Sequence, residues 1–184
     1  MEPIKEINLL ENKKAIIGVN IAAIPLFVFG IWLFTRLAAG EAIYFSFAFM
    51  PLQTLLFNLV IFFLTYFLII SIHELIHGLF FKVFSDTGKV KFGFKNGMAY
   101  ATNPGTKYTW WQFLIIVLAP CVFISLALYG AYQLTWINAT FFVAIASIHF
   151  AGCVGDLWYA LLIMKYGDKY YEDTEVGFSI WSKE

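Results

Sequence analysis

Charge is scarce in this sequence. Asp, Glu, Lys and Arg make up 13% of its residues, where an ordinary soluble domain carries about 25%. That shortage excludes a typical water-soluble domain. The 12 basic and 12 acidic residues cancel, and no basic helix stands out, so nucleic acid is excluded as a partner. Cysteine is scarce too. Cys121 and Cys153 both sit inside apolar runs, which is the usage of small buried apolar residues and not a disulfide framework. Internal repeats are missing, and with them the pattern of a secondary transporter. At 184 residues the chain reads as one domain, 1–184, without a separate soluble catalytic module.

What it has instead is apolar length. Hydrophobic residues make up 61% and aromatic residues 20%. Four stretches reach the roughly 20 apolar residues that a membrane-crossing helix needs: about 15–35, 54–81, 110–133 and 139–164. Pro25 predicts a kink in the first and Pro120 one in the third. The first is too long for a signal-peptide core, and Glu2, Glu6 and Glu11 spoil a basic leader, so it counts as a span. Lys5, Lys13 and Lys14 precede it. Lys82, Lys89, Lys91, Lys95 and Lys107 lie between the second and third, and Lys165, Lys169 and Lys183 follow the fourth. Only Arg36 falls on the other side, so 11 of 12 basic residues share one side. The positive-inside rule makes that side cytoplasmic, with both termini there. The expected fold is an all-α, multi-pass protein of the cell membrane with about four transmembrane helices. An interfacial segment is expected over 41–53 on the outer side and a cytoplasmic tail over 165–184.

The second span holds HELIH, residues 73–77, an HExxH motif. His73 and His77 are four apart and share a helix face, so both imidazoles can bind one Zn²⁺. Glu74 stands beside them as general base for the water that the metal activates. The chain has 3 His and 8 Glu, so chance gives on the order of 0.002 such matches. Two buried histidines bonded to backbone are the alternative. Glu74 is also the only acid in its span, where a lone carboxylate would be costly.

Zinc hydrolases keep three protein ligands and one open position, so a third ligand is needed. The fourth span offers His149 and Asp156. His73 lies nine residues before Lys82, and Asp156 nine before Lys165, so both sit roughly 13 Å in from the cytoplasmic end. His149 falls roughly 10 Å further out. Asp156 is therefore the expected ligand. His149 is the alternative, or else a donor behind the ligands or a packed core histidine. The tail acids Asp168, Glu172, Asp173 and Glu175 are expected in solvent, unless one folds back over the site.

These features resemble the membrane zincins of domain of unknown function 3267, relatives of the site-2 protease group of intramembrane metalloproteases. The resemblance covers roughly 68–184 and rests on HELIHGLFFKVF, KVKFGFKNGMAYAT, LAPCVFIS, GCVGDLWY and DTEVGFSIW, in that order. It implies zinc ligation by His73, His77 and Asp156, with Glu74 catalytic. The sequence departs from site-2 proteases at Gly155-Asp156-Leu157, where those often carry Asp-Gly, and it has no PDZ domain.

Between the second and third spans, about 88–103, Lys89 to Phe94 alternate at period two, Asn96-Gly97 signals a hairpin turn, and AYAT returns. A β-hairpin beside the motif can hold an unwound substrate by strand addition, with Phe92 and Phe94 as substrate-binding residues. The alternative is a plain connector. The functional expectation is a membrane-embedded zinc metalloendopeptidase acting on membrane-spanning or membrane-associated proteins. The alternatives are a haem-binding bundle pairing His73 or His77 with His149, and a non-catalytic zinc-binding membrane subunit.

Overall fold

The computed structural model describes residues 2–9, 11–38, 51–95 and 97–183. In chain order the elements are β1 (Lys5–Asn8), α1 (Lys13–Leu37), α2 (Leu52–Phe84), β2 (Lys91–Lys95), β3 (Met98–Thr102), β4 (Lys107–Thr109), α3 (Trp110–Gln133), α4 (Ala139–Gly152), α5 (Val154–Tyr166), β5 (Tyr170–Thr174) and β6 (Gly177–Trp181).

Three helices, α1, α2 and α3, are long and apolar enough to cross a membrane. Their surfaces agree with that. Phe57, Leu64, Phe67, Leu68, Leu75 and Leu79 are all exposed along α2, and an uninterrupted apolar surface of that size is unusual on a soluble monomer. Exposed Trp110 and Trp111 mark one end of α3 and exposed Trp136 lies just beyond the other, the placement of interfacial aromatic belts. The fourth expected span is not one continuous helix. It divides at Cys153 into α4 and α5, bent by 47°. Of the segment expected over 41–53, residues up to 50 lie outside the described residues.

The helices pack through aromatic and small residues. Phe34 of α1 meets Phe142 and Phe150 of α4 edge-on at 5.6 and 6.2 Å. At Gly30 a Cβ would lie 3.2 Å from the Ser147 backbone, so the absence of a side chain allows α1 and α4 to approach.

The expected all-α architecture needs correction, for the tail 165–184 is not a solvated extension. Its strands β5 and β6 form the middle of a four-stranded antiparallel sheet in the order β1-β6-β5-β4. β1 precedes α1, β4 runs straight into α3, and β5 follows α5. The sheet therefore gathers the start of α1, the start of α3 and the end of α5 at one end of the helices. β4 hands over to α3 by a capping box, with Thr109 and Gln112 bonded reciprocally. Tyr171 and Phe178 on the sheet's inward face pack on Phe113 at 5.7 and 5.6 Å. A Cβ at Gly177 would collide with the Ile7 carbonyl, so glycine is what lets β1 dock. The hairpin expected within 88–103 is present as β2–β3, a separate two-stranded sheet.

Candidate metal centre

α2 carries His73, Glu74 and His77 roughly 10–16 Å short of its sheet end. α5 brings Asp156 to them. The break at Cys153 starts a new helix, so Asp156 falls in its first turn, where the helix dipole favours a carboxylate. The resulting distances are short. His73 Nε2 lies 3.1 Å from Asp156 Oδ2 and 3.1 Å from His77 Nε2, and His77 Nε2 lies 3.4 Å from Asp156 Oδ1. Tetrahedral ligands held 2.0–2.1 Å from one Zn²⁺ are about 3.3–3.4 Å apart. Two imidazoles and one carboxylate at these separations fit a zinc ion in donor type and in spacing, and leave a fourth position free.

The other ring nitrogens set the histidine tautomers. His77 Nδ1 donates to the Ile116 carbonyl oxygen of α3 at 2.9 Å. His73 Nδ1 donates to His149 Nε2 at 3.3 Å. The carbonyl acceptor fixes the His77 tautomer, and the His73 direction is the one that ligation through its Nε2 requires; both leave the Nε2 lone pairs facing the site. His149 thus lies beside His73, not a full 10 Å outward. The bend between α4 and α5 takes up part of the rise, and the His73 ring spans the rest, with Asp156 at one nitrogen and His149 at the other. His149 is buried, and its Nδ1 has no hydrogen-bond partner. A second set of possible ligands, His73, His149 and Cys153, also gathers within 4.8 Å, but it lacks the carboxylate and borrows His73.

The site opens into a cavity of about 490 Å³. Glu74 lines it, with the Ala101 backbone N–H directed toward its carboxylate. Residues 97–101, Gly97 through Ala101, line it consecutively. A strand contributes every successive residue when its edge faces the space, and the outer edge of β3 has no partner strand among the described residues. Phe92 and Phe94 do not line the cavity. Phe92 docks the hairpin onto α2, where a Cβ at Gly78 would lie 2.6 Å from its ring, and Phe94 is 73% exposed.

One cavity residue contradicts its expected place. Asp173, read as solvated, is buried in the sheet and lines the cavity with Glu74 and His77. Burial pushes its carboxyl up to about 8; Thr102 and His77 oppose that, and Glu74 and Asp156 add to it. The signal was available in the alternation of YYEDT and GFSIW, which places Tyr171, Asp173, Phe178 and Ile180 on one face.

A family model described as "Putative zincin peptidase", DUF3267, matches residues 66–171. The chain belongs to that family. No curated protein and no solved structure matches it. Membership in the zincin peptidases suggests a zinc metallopeptidase, and it agrees with the donor set of His73, His77 and Asp156. The matched span covers the motif helix, the hairpin, α3, α4 and α5, and it stops two residues short of Asp173.

Proposed function

We propose that this family member is a membrane-embedded zinc metalloendopeptidase, akin to site-2 proteases, which cuts membrane-spanning or membrane-associated proteins at their cytoplasmic ends. The observation that carries the proposal is the gathering of two imidazoles and one carboxylate at separations of 3.1–3.4 Å, beside a glutamate, in a cavity lined by the free edge of β3. His73, His77 and Asp156 would hold Zn²⁺. Bound there, zinc supplies Lewis acidity toward a peptide carbonyl and lowers the pKa of water toward neutrality. Glu74 takes the proton from the attacking water and returns it to the leaving amine nitrogen. The Ala101 backbone N–H faces the Glu74 carboxylate. Along a strand, alternate residues point their N–H and C=O to the same edge. Ala99 therefore shares the outer edge with Ala101, and it offers its backbone to an unwound substrate by strand addition.

A membrane setting is supported by the apolar helix surfaces, and a cytoplasmic site by the lysines. All eleven belong to segments at the sheet end, whereas Arg36 ends α1 on the far side. The haem alternative loses its geometric basis, since the facing nitrogens of His73 and His149 are 3.3 Å apart and leave no gap for a porphyrin between them.

The test joins metal content to cleavage. Full-length protein in detergent, prepared without chelator, is expected to hold one zinc per chain and to cut a membrane-anchored reporter. Asp156→Ala should lose the zinc. Glu74→Gln should keep it and lose cleavage by on the order of 10³-fold. Zinc lost in His149→Ala but kept in Asp156→Ala would move the site to the second set of ligands. Undiminished cleavage by Glu74→Gln would remove the catalytic role, and a cellular function that survives that change would favour a non-catalytic subunit.

A further inference from the structure

Among the described residues, Asp173 is the only Asp, Glu, Lys or Arg that is buried. Its neighbours in the tail all have partners. Asp168 pairs with Lys183, Glu175 pairs with Lys91 at 2.8 Å, and Glu172 accepts from the Gly105 N–H at 2.8 Å. Asp173 has no cation within ion-pair distance among the described residues. Tyr171, Phe178 and Ile180 surround it on the inward face of β5 and β6. A carboxyl set among such residues destabilises a fold unless something compensates it, and nothing in the packing requires one there. What distinguishes its position is the cavity, which it shares with Glu74, His77 and the free edge of β3.

We infer that Asp173 forms a cation subsite, which receives the side chain of a lysine or arginine adjacent to the scissile bond of the substrate. The inference rests on the peptidase proposed above and names its specificity. Two considerations choose the ligand. First, the spot lacks a cation, and a carboxylate in a low-dielectric cavity binds ammonium or guanidinium through charge-assisted hydrogen bonds. Second, the cytoplasmic ends of membrane spans are where lysine and arginine concentrate. A substrate span that unwinds onto β3 alternates its side chains from face to face, so one row points into the cavity and the basic residue behind the apolar span reaches Asp173. The arriving cation favours the ionised carboxylate, whereas burial in the empty site favours the neutral acid.

The experiment uses full-length protein in nanodiscs and three fluorescent peptides of one apolar sequence, with lysine, norleucine or glutamate at the position next to the expected cleavage point. Binding is read by anisotropy in the zinc-loaded Glu74→Gln background, so that no turnover is needed. The lysine peptide is expected to bind on the order of 10- to 100-fold more tightly than the norleucine peptide. Adding Asp173→Asn should abolish that preference, and Asp173→Lys should turn it toward glutamate. Equal binding of the lysine and norleucine peptides, or a lysine preference that survives Asp173→Asn, overturns the subsite. Cleavage of the norleucine peptide by protein with Glu74 intact is scored alongside. If that peptide is cut and lysine brings no advantage, the subsite alone fails. If no peptide is bound or cut, the peptidase proposal fails with it.

Discussion

Two β-hairpins stand at the same end of the helices, and they differ in their edges. In β5–β6 both edges carry a partner strand, β4 and β1, and the hairpin presents one face to the cavity. That face delivers Asp173. In β2–β3 neither outer edge has a partner strand among the described residues, and it is β3 that lines the cavity. Native proteins usually blunt or cover an exposed strand edge, because it templates pairing with other chains. An edge kept open beside a metal-binding arrangement is where a substrate peptide can add. The first hairpin is thus flanked by a strand on each side and the second on neither, although both are five-residue strands joined by short turns.

The largest expected effect comes from undocking the closed hairpin. Phe113 stacks on Tyr171 and contacts Phe178, and Phe113→Ala should cost about 3–5 kcal/mol. Thermal unfolding in detergent checks this, and a shift no larger than that of a surface substitution would mean that the sheet is not held by this core. Next is the open edge. Ala99→Pro removes its outward N–H and should lower reporter cleavage by roughly 10- to 100-fold with zinc retained. Full cleavage by that variant would remove strand addition from the mechanism.

A smaller effect separates the two hairpins by pH. The Asp173 carboxyl titrates at about 8 in the folded chain, against an ordinary value of 3.8. Between those values the folded chain keeps a proton that the unfolded chain has lost, so stability falls as pH rises through that window. Asp173→Asn removes this slope. Its melting temperature should exceed that of the native protein by little near pH 4 and by most above pH 8, and a difference that is flat with pH would contradict the burial of an uncompensated carboxyl. The smallest effect is expected at Phe94, exposed on β2 away from the cavity. Phe94→Ala should change stability by no more than about 0.5 kcal/mol and leave cleavage intact. Lost cleavage there would support the sequence expectation that the β2 aromatics bind substrate.

That expectation shows where sequence reasoning stopped. The alternation of Lys89 to Phe94 and the Asn96-Gly97 turn revealed a hairpin but not which of its strands would face the motif, because the docking of Phe92 over Gly78 depends on α2 and is not written in the hairpin. The depth comparison from the lysines ranked Asp156 over His149 and assumed one straight helix. The bend after Gly152 leaves Asp156 against both motif histidines and brings His149 within reach as well. The tail was the largest omission. Its four acids suggested solvent, whereas the period-two pattern that puts Asp173 on the same face as Tyr171, Phe178 and Ile180, and Glu172 on the opposite one, was the stronger physical signal.

By itself, the sequence determined what depends on composition and on local period: helices too apolar for water, lysines gathered to one side, two histidines and a glutamate on one turn of helix, and a hairpin after them. Tertiary structure alone decided the rest. Asp156 completes the donor set only because α5, packed on α3 and α1, holds its first turn beside the motif histidines of α2. His149 reaches His73 only because the helix breaks between His149 and Asp156, and Asp173 reaches the cavity only because the chain's first strand and its last close a sheet over that end. Each of these is a contact between segments far apart along the chain, and such contacts are selected by packing, which no local pattern encodes.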